Sequence, residues 1–275
     1  MSAERRPLVF LGLVAVSSIP LFVLGAVAGG MRVGAMYLPP SAVMFVVPVI
    51  VATALTRWHS GGAAAAGLLK RAVDRPAAPL RWYALAVLLV SVIAVVSTAW
   101  ARWAEQPAAA LPLSLTAVPV LLVVSAIAAT CEELGWTAYA TEPLQQRFGM
   151  LRTGLGLGVY WAAWHLIPLL QAGHPATWIA GWFLGTVALR VLIVWLHVRT
   201  GYGVSAAILM HTMVNVIAVY TPGYDRPIST ITTGVVTAAV AAAVVCFGWL
   251  RARDQRSCEY RRGERVQAQR TGGPG

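Results

Sequence analysis

Apolar residues fill this chain in runs longer than a soluble helix uses. Seven stretches carry no Asp, Glu, Lys or Arg: 7–31, 33–56, 82–101, 106–131, 153–189, 200–224 and 227–250. A helix that crosses a bilayer needs about 20 consecutive apolar residues. The fifth stretch is too long for one crossing, and "QAGHPAT" at 171–177 reads as a turn within it, so it predicts two helices, the second continuing through Arg190. The runs lack the alternation of barrel strands, and an unbroken apolar run in lipid must satisfy its backbone inside a helix. The pattern therefore predicts an all-α fold, a polytopic transmembrane helix bundle of about eight spans.

Two segments break the pattern. Residues 59–80, "HSGGAAAAGLLKRAVDRPAAPL", read as a short interfacial helix closed by Pro76 and Pro79. Residues 251–275, rich in Arg, Gln and Gly, read as a basic, disordered tail. Residues 1–250 are expected to form one membrane-embedded domain.

Composition agrees: 58% of residues are hydrophobic and 11% charged, against about 25% charged in soluble domains. The formal net charge of +11 is distributed unevenly. Arg57, Lys70, Arg71, Arg75 and Arg81 cluster after the second run, and the tail adds seven more arginines. Lys and Arg in short loops stay cytoplasmic. With an even number of spans, both clusters fall on the side of the N-terminus, so both termini are expected in the cytoplasm. The positive charge is then topological rather than a nucleic-acid footprint, and the tail is suited to anionic headgroups of the lipid bilayer. A cleaved signal peptide at the N-terminus is disfavoured, because the first run exceeds an h-region of about 7–15 residues. Cys131, Cys246 and Cys258 form no disulfide framework or metal spacing. Lys70 is the only lysine, a bias that suggests a high-GC bacterium and hence a multi-pass protein of the bacterial cytoplasmic membrane.

Against this background "TCEELGWTAY" stands out. Of ten acidic residues only Glu132 and Glu133 fall in a membrane segment. A charge at the bilayer centre costs about 2.5–3.5 kcal/mol on insertion scales, and such groups face the bundle interior or a wet cavity. The other polar residues at depth are His165, Arg190 and the pair His211/Asn215, whose i,i+4 spacing puts both on one helix face. At about 1.5 Å per residue, Glu132, Arg190 and His211 lie roughly 12–13 Å from the cytoplasmic ends of their helices and His165 roughly 17 Å. Polar groups at one level predict a cavity open to the cytoplasmic half of the membrane, where a carboxylate can act as general base and an imidazole as acid or base. His59, His174 and His197 receive no role, and Trp161 and Trp164 are expected to pack.

These residues resemble the three motifs of the CPBP family, which comprises the CAAX prenyl endopeptidases and the bacteriocin-processing (Abi) proteins. Its motifs are Glu-Glu-x-x-x-Arg, an aromatic residue followed four positions later by His, and His-x-x-x-Asn. Here they stand as "EELGWT", "WAAWH" and "HTMVN", with "PLQQRFG" and "ALRVLIVWLHVRTG" as similar connecting text. The resemblance covers about residues 115–220. It departs at Thr137, which stands where the family most often has Arg. Arg190 or Arg147 is then expected to supply the charge, or Glu133 stays protonated, or activity is lost.

The resemblance implies an intramembrane endopeptidase that hydrolyses a peptide bond of a membrane peptide or protein substrate, including prenylated CAAX-type proteins. In the favoured mechanism Glu132 with His165 activates water, His211 and Asn215 stabilise the oxyanion, and Glu133, with Thr137 and Arg190 beside it, tunes Glu132. No cofactor is favoured. The family's metalloprotease naming makes Zn possible, with Glu132, His165 and His211 as ligands, but neither histidine belongs to an HExxH motif. The alternatives are a catalytically impaired scaffold or regulator of the same fold and, less favoured, a proton-coupled transporter.

Overall fold

The computed structural model describes residues 6–33, 36–74, 78–105 and 114–248. The basic tail expected beyond residue 250 lies outside them.

Each expected apolar segment holds a helix. They are α1 (Arg6–Val27), α2 (Val47–Lys70), α3 (Arg81–Glu105), α4 (Val118–Gly135), α5 (Glu142–Trp164) with its short continuation α6 (Leu166–Gln171), α7 (Ala176–Arg199) and α8 (Ser205–Tyr220), followed by α9 (Pro227–Gly248). Six helices among the described residues are long and apolar enough to cross a membrane, and α8 is a shorter apolar one. The chain is an integral, multi-pass, all-α membrane protein. Contacts group it into two units, residues 1–238 and 239–275; everything below concerns the first.

Local chemistry sets the helix ends. Proline, which needs no amide partner in a first turn, opens α2, α4 and α5. Gly61 and Gly149 take the left-handed conformation (φ 84° and 77°) that side chains resist. Gly61 turns α2 into a separate segment that continues through a 3₁₀ turn to Val73, the place expected for the interfacial helix. Gly149 breaks α5 internally, dividing residues 142–148 from 150–164.

Three boundaries differ from expectation. Residues read as the end of the first span and the start of the second form a small hairpin, Met31–Val33 against Met36–Leu38, because a short apolar run flanked by Gly30 and Pro39 suits a strand as well as a helix. The helix in the 200–224 stretch is shorter than its apolar run: Gly201 and Tyr202, both at φ 66°, close the turn before α8. His211 is thus about 9 Å from its helix start, closer than the sequence depth suggested. The helix bearing His165 also breaks there, since Pro168 cannot donate to the carbonyl four residues back.

The most enclosed long helix is α7. Gly154 and Gly158 of α5 lie so close to it that an added Cβ would come within 2.9 Å of the backbone at Val191 and Val187. This small-xxx-small approach is a membrane packing device. It brings α5 against the stretch of α7 that carries Arg190.

Candidate active site

Glu132 and Glu133 end the last turns of α4, followed by a single wide π-helical stretch, Trp136–Thr141. Such stretches occur often at functional sites. Here the Thr141 hydroxyl donates to the Trp136 carbonyl at 2.8 Å, and Arg71 donates to the Ala138 carbonyl at 3.0 Å.

The two adjacent carboxylates have different surroundings. Glu133 is fully buried and surrounded by donors. Arg190 grips it as a fork, Nη1 to Oε2 at 2.8 Å and Nη2 to Oε1 at 3.0 Å. The Thr137 hydroxyl donates to Oε2 at 2.5 Å, and His211 Nδ1 lies 2.9 Å from Oε1. A carboxylate can only accept, so His211 carries its hydrogen on Nδ1. The missing motif charge therefore sits on α7 at Arg190. Arg147 is exposed and lines a different cavity.

Glu132 accepts from two indoles, Trp161 Nε1 at 2.7 Å and Trp136 Nε1 at 3.1 Å, both on Oε2. Its Oε1 makes no hydrogen bond to the described residues. His165 sits at the break between α5 and α6, and its Nδ1 lies 2.9 Å from the Trp161 carbonyl, which fixes the donor on Nδ1 and leaves Nε2 free. Asn215 is half-buried one turn beyond His211, with no hydrogen bond among the described residues.

Trp161 joins these parts. Its indole donates to Glu132, its ring lies 4.1 Å beneath the Arg190 guanidinium, and it meets the His211 and His165 rings edge-on at 5.0 and 5.8 Å. Expected only to pack, Trp161 instead touches Glu132, Arg190 and both histidines of the site. Trp136 was also missed, although its i,i+4 spacing from Glu132 is visible in the sequence.

The ordered donors and acceptors suit proton transfer: one carboxylate neutralised by Arg190, the next with a free oxygen, and two imidazoles each held by Nδ1. As a zinc site the fit is poor. Among the described residues no three His, Cys, Asp or Glu side chains group as metal ligands, although the Nδ1 hydrogen bonds of His165 and His211 leave each Nε2 uncommitted, as outer partners of metal ligands do. No step below is routed through a metal.

Residues 112–217 match the family described as type II CAAX prenyl endopeptidase Rce1-like, a span that holds every residue of the site. The chain is also similar to CAAX prenyl protease 2 of Methanococcus maripaludis, 27% identical over 139 residues, or 47% of this chain and 51% of that protein. The match thus spans about half the length of the curated relative. Motifs, their order and the helical fold thus agree with the similarity of residues 112–217 to the CAAX prenyl endopeptidases.

Proposed function

We propose that the protein is an intramembrane endopeptidase that hydrolyses a peptide bond of a membrane-associated substrate by carboxylate-activated water. One observation carries the reading: Glu133 is saturated by Arg190, Thr137 and His211, whereas its neighbour Glu132 keeps one oxygen without a partner.

In this mechanism Glu132 Oε1, assisted by His165 Nε2, takes a proton from water as its oxygen bonds to the substrate carbonyl carbon. The developing oxyanion receives hydrogen bonds from the Asn215 amide and, when the ring carries a second hydrogen, from His211 Nε2. Collapse breaks the C–N bond, and the proton held by Glu132 passes to the leaving amine. Glu133 and Arg190 position His211 and Trp161 and set the local field.

An apolar cavity of about 90 Å³ lies beside the site, lined by Val90, Trp182, Thr186, Val214 and Ile217. The Trp182 ring is 5.3 Å from that of His165. At that volume, below the roughly 300–1,000 Å³ of ligand pockets, it has room for only a small apolar part of a substrate.

The rival reading, a silent scaffold, rests on Thr137. The Arg190–Glu133 pair supports the active reading, because the charge that Thr137 lacks is supplied from α7. The test is cleavage of fluorogenic membrane peptides, with and without a farnesylated cysteine, by wild type and Glu132→Gln, with zinc measured on the same samples. Glu132→Gln is expected to reduce turnover about 10²–10⁴-fold with stability nearly unchanged. Wild-type cleavage undiminished by the substitution would overturn the role of Glu132.

A further inference from the structure

A second cavity, separate from the apolar one, lies at the end of the bundle where α1 begins and the π-helical stretch passes into α5. Its volume is about 460 Å³, within the range of small-ligand pockets. It is lined by Arg6 of α1, His59 and Ser60 of α2, Tyr139 of the π-helical stretch, and Gln146 and Arg147 after it.

Its chemistry is one-sided. No Asp or Glu lines it, and among the described residues neither Arg6 nor Arg147 forms a salt bridge. Among the described residues the acids at this end are engaged elsewhere, Glu142 with Arg71 and Asp74 with the amides of Val204 and Ser205. Arg6 Nε and His59 Nε2 are buried with no hydrogen-bond partner. Arg6 Nε is a donor and His59 Nε2 can be one; such groups withdrawn from water without a partner are costly, and an anion's acceptor oxygens would satisfy them.

The level of the site indicates which anion. Trp58, next to His59, is 83% exposed, and exposed indoles on membrane helices sit at headgroup depth. The same end carries the Arg57–Arg81 basic cluster, so by the positive-inside rule it faces the anionic leaflet. Guanidinium groups and hydroxyls converging on one space match a phosphate, whose oxygens accept several charge-assisted bonds at once. We propose that this cavity binds a phosphate group, the chemistry shared by an anionic phospholipid headgroup and free phosphate. Bound there, the ligand ties α1, α2 and α5 together about 10 Å along the chain from Glu132.

Phosphatidylglycerol is titrated into the delipidated full-length protein in detergent, and bound lipid is counted by native mass spectrometry, with phosphatidylcholine as the zwitterionic control and inorganic phosphate as competitor. The variants are Arg147→Gln, Arg6→Gln/Arg147→Gln and, as a charge-matched control outside the cavity, Arg57→Gln. Arg147 is exposed and makes no hydrogen bond among the described residues, so its substitution leaves the fold intact. One phosphatidylglycerol per chain, bound at least about tenfold more weakly by the cavity variants but not by Arg57→Gln, supports the site with lipid as ligand. Inorganic phosphate that blocks lipid at millimolar concentration in wild type, and not in Arg147→Gln, supports the same site with a soluble ligand. Equal binding by all variants, or equal weakening by Arg57→Gln, would overturn it.

Discussion

Two arginine–glutamate pairs in this bundle have the same contact distance and different meanings. Arg190 meets Glu133 at 2.8 Å with both side chains fully buried, and Arg71 meets Glu142 at 2.8 Å with side chains 28% and 36% exposed. The buried pair has replaced hydration with a closed set of protein donors, so removing one member leaves the other uncompensated. The interfacial pair keeps access to water, and Arg71 divides its donors among Glu142 and the carbonyls of Ala138 and Tyr202. Distance alone would rank the two pairs equal; their surroundings rank them.

The strongest way to break the comparison is Arg190→Ala. It strands a buried carboxylate and removes the cation over Trp161, and it is expected to cost about 3–5 kcal/mol, read as denaturation of the purified protein in detergent. Arg190→Lys keeps the charge but not the two-pronged geometry and should recover only part of that loss. A cost below about 1 kcal/mol for Arg190→Ala, the value of a surface pair, would mean that Glu133 is solvated.

Next in size is Thr137→Val, which removes one donor from Glu133 at nearly constant volume. Hydrogen bonds to charged groups are worth about 1.5–3 kcal/mol, and the same denaturation assay should find a loss in that range. The opposite change, Thr137→Arg, restores the usual motif residue but forces a second cation into a filled, buried position beside Arg190. It is expected to lower both stability and turnover. A gain in cleavage would show that Arg190 does not serve as the motif charge.

The smallest effects belong to the interfacial cluster. Asp74 accepts from the amides of Val204 and Ser205 at 2.6 and 3.1 Å and so caps the start of α8 from a distant part of the chain. Asp74→Ala should cost about 0.5–2 kcal/mol, as other N-cap losses do. Arg71→Ala should cost at most about 1 kcal/mol. Because α8 carries His211 and Asn215, a loss of turnover larger than the loss of stability would indicate that this cluster positions α8 for the proposed reaction.

His197, given no role from the sequence, belongs to that cluster: it is buried, with Nδ1 3.0 Å from the Gly203 carbonyl and Nε2 3.7 Å from Glu142. No local signal separates it from other histidines near a helix end. Trp161 illustrates the same limit. A tryptophan in an apolar helix reads alike whether it fills space or donates to a carboxylate, and its partners Glu132 and Arg190 lie on other helices. The hairpin at 31–38 was hidden for a related reason, since short apolar runs satisfy both helix and strand patterns.

The sequence by itself determined where the helices lie and which few side chains were too costly in lipid to be incidental, because unbroken apolar runs and intramembrane charges are penalised locally, whatever the fold. Tertiary structure decided how those side chains pair. Spacing rules reach only one turn along a single helix, so Thr137 opposite Glu133 was visible beforehand. That Arg190 rather than Arg147 reaches Glu133, and that Glu132 is the carboxylate left with a free oxygen, is set by contacts between helices: α7 supplies Arg190 and α8 His211 to Glu133, while α5 supplies the Trp161 indole to Glu132.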